Sequence, residues 1–334
     1  MTSRLRLLIA ALSLMFLGMH LRALPETLED IDSVNFALGV ESFDIALHRP
    51  HPPGYPVFVA LARVSTRTMA TVMPSWTRDH RAAAGLAFWG VIAGALAAFV
   101  LTEFWMAVGL MAPLASLAAL VAVVAPLFWF SASRPLTDTL GLVTAVVVQT
   151  LFVRGLRAFR EDAKELPRDW IWAAVLAGVI IGIRSQSVWL VWPLFAWAVG
   201  ELLWRRRVRD AASLVAAGAV GVLAWGVPLL WKSGGLSGYL AIVRSQGTED
   251  LANIELLATS PTWQLLQTAL RRTFIDPWQV ASLGRIVVGL ALLGFARLAM
   301  RAPRVLIVVC FAFWPYLIFH LTFQETATVR YALP

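Results

Sequence analysis

The sequence contains little cysteine and little charge, and both shortages narrow its class. Only one of its 334 residues is a cysteine, Cys310, which lies in an apolar run, so neither a disulfide framework nor a cysteine-based metal site is available. Charged residues make up only 14% of the chain, against about a quarter in soluble domains. Hydrophobic residues make up 59%, and the mean hydropathy is +0.72. This composition excludes an ordinary soluble domain and indicates a membrane protein.

Apolar runs of about 17–25 residues recur along the chain, each long enough to cross roughly 30 Å of hydrocarbon. They predict a single all-α polytopic membrane domain over 1–334, with about nine transmembrane helices. We place these helices at about 5–23, 82–104, 111–130, 139–153, 170–183, 187–204, 211–231, 281–298 and 305–323. No small-x-small cleavage site is evident after the first run, so we interpret it as a retained helix rather than a signal peptide.

The net charge of +8 would suit a nucleic-acid partner, but the placement of the basic residues argues against one. They cluster in short loops between apolar runs, where the positive-inside rule predicts them. Alternating the side at each helix puts the N-terminus and these basic loops in the cytoplasm. Two long loops, 24–81 and 232–279, then lie outside. The chain ends at Pro334, directly after an outward crossing, so we expect it to be truncated at the C-terminus.

The stretch 29–56 concentrates ionisable groups beside the first apolar run. It holds five acidic residues and two histidines: Glu29, Asp30, Asp32, Glu41, Asp44, His48 and His51. Asp30 and Asp32 support two interpretations. One is the N-cap of a short interfacial helix, and the other is a general base that accepts a proton from an attacking hydroxyl. We expect the two side chains to point to different sides, so that only one of them is the base.

A stiff turn ends this stretch, formed by His51, Pro52, Pro53, Gly54, Tyr55 and Pro56. The prolines fix φ, the glycine permits a turn, and the tyrosine can anchor at the membrane interface. On this interpretation the turn only leads the chain back towards the membrane. Two histidines without a defined third ligand are weak evidence for a metal site. Hydrogen bonding or a phosphate contact is therefore favoured for His51, and metal dependence stays open.

Three arginines on the same predicted side are further candidates. Arg134 and Asp138 lie at the outer ends of the third and fourth predicted helices. The simplest interpretation is that they form a local ion pair. Arg184 lies between two apolar runs, so it either faces a cavity or a partner or extends to the nearby outer surface. Arg330 and Tyr331 follow the ninth helix and could be an ordinary interfacial pair.

Taken together, these motifs resemble the bacterial GT-C glycosyltransferases, in particular the family 39-like branch related to protein O-mannosyltransferases. That branch has the pattern D-S-x-x-[FY] followed by H-P-P-G-Y-P-x-[FY]. Here the pattern is matched by Asp32-Ser33-Val34-Asn35-Phe36 and by His51-Pro52-Pro53-Gly54-Tyr55-Pro56-Val57-Phe58. Three later segments are similar to the family's Arg-Pro, G-x-x-R and R-Y-x-L-P motifs: 133–139, 182–194 and 328–334. The resemblance spans nearly the whole chain in order.

The resemblance implies a GT-C-like bundle in a bacterial inner membrane, with the active site on the extracytoplasmic face. It implies transfer of a hexose or mannose-type sugar from a polyprenyl-phosphate donor to an acceptor hydroxyl on a protein, lipid or glycan, with inversion. Asp32 would be the base, and Arg330 the first choice for the donor phosphate, with Arg184, Arg134 and His51 as weaker candidates. Many family members carry Asp-Glu where this chain has Asp32-Ser33, which keeps Asp30 as the alternative base.

Two other functions compete with this one. A secondary transporter would carry paired ionisable residues at mid-helix and inverted-repeat symmetry, whereas the acidic residues here avoid the predicted helix centres. A non-catalytic scaffold or receptor would use the outer loops to bind a partner protein. The absence of a nucleotide-binding glycine loop fits a lipid-linked donor.

Overall fold

The computed structural model describes residues 2–161, 165–250, 255–325 and 328–333, with only the backbone at 248–250. These residues form α-helices, short 3₁₀ helices and connecting turns, without strands. In chain order the α-helices are α1 (Ser3–Arg22), α2 (Ile31–Glu41), α3 (Pro56–Val72), α4 (Arg78–Val108), α5 (Ala112–Val123), α6 (Pro126–Ser131), α7 (Asp138–Glu161), α8 (Arg168–Ile181), α9 (Val188–Trp204), α10 (Val208–Lys232), α11 (Gly235–Asp250), α12 (Trp263–Phe274), α13 (Ala281–Arg301) and α14 (Pro303–Phe323).

Seven of the helices in the described ranges are long and apolar enough to cross a membrane: α1, α4, α7, α9 with its preceding 3₁₀ turn, α10, α13 and α14. This agrees with the prediction of an all-helical multi-pass membrane protein. The predicted helix at 111–130 is instead divided into α5 and α6. Pro126 begins α6, and a proline disfavours helical geometry at the preceding residue. The predicted helix at 170–183 is the 14-residue α8, about 21 Å long.

The two segments predicted as long loops are largely helical. The first contains α2 and α3, and the second contains α11 and α12. In α3 the buried residues Phe58, Val59, Ala62 and Ser65 follow the spacing of an amphipathic helix. Its other face carries arginines, which lower its hydropathy. These segments were predicted as loops because they are long and polar, and their helices are too short or too polar to be recognised as membrane-spanning runs.

The core of the bundle is built around α7, which packs against α4, α8 and α9. Most of its residues are buried, and α8 lies against it through Trp170, whose indole N–H donates to the Phe152 carbonyl oxygen at 3.0 Å. In contrast, α13 is almost entirely exposed apart from Gly284. The fold is therefore centred on α7, whereas α13 lies at its periphery.

The two ends of α7 carry different charges. At its start, Asp138 Oδ2 lies 3.8 Å from Arg330 Nη1, and Arg330 also contacts Asp30 and Asp32. Its end lies about 36 Å away for a 24-residue helix. There Arg205, which follows α9, lies over the Phe159 ring at 4.8 Å, and Arg154 pairs with Glu103. The arginines in the last turns of α7 and those directly after α9 are thus at the opposite end of the bundle from the acidic stretch.

Glycines allow α8 and α10 to pack backbone against backbone. A Cβ atom at Gly221 would overlap the Val175 carbonyl oxygen and lie 3.0 Å from the Gly178 Cα atom. Backbone atoms cannot move aside as flexible side chains do. Because membrane helices associate mainly by close packing, small residues at such a contact stabilise the pair.

We predict that Gly221→Ala lowers the free energy of unfolding by about 1–3 kcal/mol, through overpacking at this contact. Gly226→Ala, in the same helix, is the matched control because its added Cβ would meet nothing closer than 3.8 Å. We expect the control to be neutral or slightly stabilising. Thermal unfolding of the two purified variants checks this, and equal stabilities would contradict the close contact.

Candidate active site

Asp30 begins the helix that presents the acidic residues. Its side chain accepts a hydrogen bond from the Ser33 N–H at 3.0 Å, and the Ser33 hydroxyl oxygen accepts one from the Asp30 N–H at 3.1 Å. This reciprocal capping box confirms the N-cap interpretation of Asp30 and fixes the start of α2. At the other end of α2, the Arg63 guanidinium donates to the Val40 and Gly39 carbonyl oxygens at 2.9 and 3.2 Å. The helix is therefore held at both ends.

Asp32 lies in the first turn of α2, and about a quarter of its side chain is exposed (26%). One of its oxygens accepts a hydrogen bond from Arg330 Nη2. The other lies 3.8 Å from His51 Nε2. One oxygen of the Asp32 carboxylate is thus bound to a cation, while the side chain remains partly accessible to an incoming molecule.

Both acidic side chains reach the same guanidinium. Arg330 Nη1 lies 3.7 Å from Asp30 Oδ2, while its Nη2 contacts Asp32. The expectation that the two carboxylates point to different sides is therefore wrong. Asp30 precedes the helix in an extended conformation, so its side chain does not follow the helical rotation.

The predicted turn at 51–56 is present and packs against α2. The Gly54 N–H donates to the His51 carbonyl oxygen at 3.0 Å, with positive φ at Gly54 (+100°) and Tyr55 (+44°). Only the glycine adopts that conformation without strain. The rings of His51 and Tyr55 lie 5.6 and 5.1 Å from that of Phe36, one helical turn beyond Asp32. The prolines Pro52, Pro53 and Pro56 give the turn its fixed shape. The turn thus supports Asp32 by placing His51 beside it.

Tyr55 is buried beneath this arrangement, and burial raises the pKa of its hydroxyl above the ordinary value. The group therefore stays neutral at physiological pH. The first N–H groups of α3, at Val57 and Phe58, donate to the Gly182 carbonyl oxygen at 3.0 and 3.3 Å. These bonds tie the turn to the segment that carries Arg184.

Arg330 lies in the 3₁₀ helix Val329–Ala332 and joins the whole site. Besides Asp30 and Asp32, its Nη1 lies 3.8 Å from Asp138 Oδ2. Burial lowers the pKa of Arg330, whereas the neighbouring Asp138, Tyr331 and Asp32 together raise it by more. The net pKa therefore lies above the ordinary value. Arg330 is a permanent cation in contact with three carboxylates.

Tyr331 lies beneath the Arg330 guanidinium, with 5.1 Å between the guanidinium carbon and the ring centre. Its backbone oxygen accepts a hydrogen bond from the Tyr316 hydroxyl at 3.0 Å, which attaches the 3₁₀ helix to α14. Burial raises the pKa of the Tyr331 hydroxyl. A neutral tyrosine here orients the arginine.

Arg184 and Asp138 form the buried part of the site, with side-chain exposures of 7% and 3%. Arg184 Nη1 lies 2.6 Å from Asp138 Oδ1 and donates to the Thr137 hydroxyl at 3.3 Å. The prediction that Arg184 faces a partner is therefore confirmed, and the alternative, that its side chain extends to the outer surface, is wrong. Asp138 and Thr137 were not predicted as site residues. The signal for Asp138 was an acidic side chain at the start of an apolar helix, on the predicted outer side.

Arg134 does not pair with Asp138, so the predicted local ion pair is wrong. Instead, Arg134 Nε lies 2.5 Å from Glu29 Oε2, and its Nη2 lies 3.2 Å from Asp30 Oδ2. The reason is competition, because Asp138 is buried against Arg184 and Arg330. Arg134 therefore clamps the beginning of α2 at the edge of the site.

An apolar cavity of about 430 Å³ lies next to the 3₁₀ helix that carries Arg330. Ala332, at the end of that helix, and Leu333, directly after it, line the cavity together with side chains from α4, α5, α6, α7, α12, α13 and α14. A second cavity of about 270 Å³ shares Ala332, Leu333 and Thr273 with the first and reaches His320 of α14. A charged cluster and a large apolar chamber thus adjoin the same short helix.

We predict that Arg184→Gln destabilises the protein by about 3 kcal/mol, because it leaves a buried carboxylate without its nearest cation. Arg134→Gln is the comparison, since a pair that is one-third exposed contributes about 0–1 kcal/mol. Thermal unfolding in detergent measures both. Adding Asp138→Asn to Arg184→Gln should recover part of the loss, and a double variant as unstable as the sum of the two would contradict the buried pair.

Among the described residues no group of three or more His, Cys, Asp or Glu side chains is arranged to hold a metal ion. Comparisons with protein-family models, with curated proteins and with solved structures gave no match to this chain.

Proposed function

We propose that this protein is a membrane glycosyltransferase that moves a hexose or mannose-type sugar from a polyprenyl-phosphate donor to an acceptor hydroxyl, with inversion. The observation that carries the proposal is the contact between Asp32 and Arg330 beside the apolar cavity. A carboxylate, a fixed cation and an apolar chamber are the three environments that such a reaction needs. The family resemblance of the motifs points to the same chemistry.

The cations suit the leaving group. When the bond between the anomeric carbon and the phosphate oxygen breaks, the lipid phosphate gains negative charge, which preorganised cations stabilise. A guanidinium matches a phosphate by two parallel hydrogen bonds. Arg330 contacts the partly exposed Asp32 and is followed closely by Ala332 and Leu333, which line the cavity, whereas Arg184 is less exposed. Arg134 and His51 lie at the rim.

Asp32 is placed to act as the general base. It would accept the acceptor's hydroxyl proton while that oxygen forms its bond to the anomeric carbon, opposite the departing phosphate. Arg330 donates a hydrogen bond to one of its oxygens. A donor phosphate that takes Arg330 as its partner would release this carboxylate for the acceptor.

The apolar cavity suits the lipid. Its lining is almost wholly hydrophobic, and it adjoins Arg330 through Ala332 and Leu333. A prenyl chain in the cavity would leave its phosphate at the end where the 3₁₀ helix presents the arginine. Burial of apolar surface at about 25 cal/mol per Å² would supply much of the donor affinity.

The distribution of charge supports an extracytoplasmic site, and the motif resemblance suggests a bacterial inner membrane. The arginines in the last turns of α7 and directly after α9 lie at the end of the bundle opposite to Asp32. Under the positive-inside rule that end is cytoplasmic, together with the N-terminus. A lipid-linked donor is the form of activated sugar available on the outer face.

We predict that Asp32→Asn lowers sugar transfer by about 10²–10⁴-fold, the usual contribution of a general base. Asp30→Asn is the matched control, because asparagine caps a helix as well as aspartate. We expect it to change transfer by only a few fold. The assay supplies membranes with labelled polyprenyl-phosphate mannose or glucose and follows label into product.

Unchanged transfer in Asp32→Asn would remove Asp32 from the mechanism, and a large loss in Asp30→Asn alone would transfer the base to Asp30. Uptake of a labelled solute without product formation would instead favour a transporter. Expression and thermal unfolding of both variants distinguish lost chemistry from lost folding.

For the cavity, we predict that Val288→Trp raises KM for a long-chain donor about tenfold, because the indole fills space that the chain needs. A farnesyl-linked donor should be affected less. Leu290→Trp, on the same helix, is the control, since Leu290 is 63% exposed and does not line the cavity. Equal effects of the two variants on the long-chain donor would contradict this assignment of the cavity.

A further inference from the structure

We infer that Asp138 is a positioning residue that holds Arg184 and Arg330 together as a two-arginine clamp for the donor phosphate. The inference rests on the proposed function and adds a role that neither the motifs nor the proposal assigns. Asp138 itself does not touch the donor in this role. It acts through the two guanidinium groups.

Asp138 has the geometry of a bridge. Its Oδ1 lies 2.6 Å from Arg184 Nη1, and its Oδ2 lies 3.8 Å from Arg330 Nη1. The two arginines come from segments far apart in the chain, and Asp138 is the carboxylate that contacts both. Both guanidinium groups also lie over the Tyr331 ring, at 5.9 and 5.1 Å from its centre. Two like charges therefore converge on one point with a carboxylate between them.

The support of Asp138 is rigid. It begins α7, the most buried long helix, and is itself almost fully buried. One turn later, Gly141 leaves room for the stem of Arg184, because a Cβ atom there would lie 2.7 Å from Arg184 Cδ. Two separate features of α7, a carboxylate and a missing side chain, thus serve the placement of Arg184.

The charges explain why the clamp needs an inner anion. Two arginines brought together repel each other, and Asp138 and Asp32 neutralise them. A donor phosphate competes with Asp32, which is partly exposed, and not with Asp138, which is buried. Asp138 therefore keeps the cations in place when the outer carboxylate is released.

This role predicts a sign that simple charge repulsion does not. If Asp138 only added negative charge near the site, Asp138→Asn would strengthen binding of a phosphate. If it positions the arginines, the same change lets them separate, and binding weakens. We expect phosphate binding to be about tenfold to a hundredfold weaker, a loss of about 1.4–2.8 kcal/mol.

The test measures binding of undecaprenyl phosphate, against undecaprenol, to the purified full chain in detergent. Asp79→Asn is the matched control, because Asp79 also lies in the first turn of a long helix, α4, and is exposed. The expected result is a weaker preference for the phosphate in Asp138→Asn and an unchanged one in Asp79→Asn. Equal or tighter phosphate binding by Asp138→Asn overturns the inference.

A double-variant cycle separates positioning from a general loss of structure. If Asp138 acts through Arg330, adding Asp138→Asn to Arg330→Gln should weaken binding much less than it does in the parent chain. Full additivity overturns the inference. Should Asp138→Asn fail to fold, Gly141→Ala displaces the Arg184 stem without changing charge. We expect it to weaken phosphate binding several-fold, and unchanged binding would overturn the inference.

The outcome also distinguishes this inference from the proposed function. A parent protein that binds undecaprenyl phosphate no better than undecaprenol overturns both. A parent protein that prefers the phosphate, with the same preference in Asp138→Asn, overturns only the role of Asp138.

Discussion

The site depends on a buried ion pair. Asp138, at the start of α7, meets Arg184 from the connection after α8 and Arg330 from the last 3₁₀ helix. Taking a carboxylate out of water is costly unless cations and hydrogen bonds replace the solvent. Each of these three groups therefore requires the other two. That mutual requirement joins chain segments that are remote in sequence and sets where the more exposed Asp32 finds its cation.

Around this centre the polar elements lie in layers of decreasing burial. Asp138 and Arg184 are enclosed, Arg330 is slightly open, and Asp32 and Asp30 face outward. An incoming anion therefore meets the outer carboxylates first and the inner pair last. A site graded in this way can exchange its outer ion pairs for a ligand while its inner pair keeps the geometry.

The irregular backbone near this end is also satisfied by side chains. In α11, Gln246 Nε2 donates to the Ile45 carbonyl oxygen at 2.8 Å, and the Tyr239 hydroxyl donates to that of Pro53 at 3.3 Å. Arg63 does the same for the end of α2. Non-helical backbone beside a membrane is tolerated where protein groups replace water. The stretch from α2 to the turn keeps one shape for this reason, and that shape places His51 beside Asp32.

The helical membrane class, most of the apolar helices and the turn at 51–56 could be predicted from the sequence, which also offered Asp30 and Asp32 as alternative caps of a short helix. Each of these depends on local composition, hydropathy or backbone restriction. It also identified Asp32, Arg184 and Arg330 as candidates, since ionisable groups beside apolar runs are conspicuous. Their partners, however, depend on how distant segments pack in the folded protein. Arg134 pairs with Glu29 and Asp30, and Asp138 pairs with Arg184 and Arg330. The helices α2 and α3 lie within a segment predicted as a loop. Ion pairing follows distance in space and burial, and neither can be read from the spacing of charges along the chain.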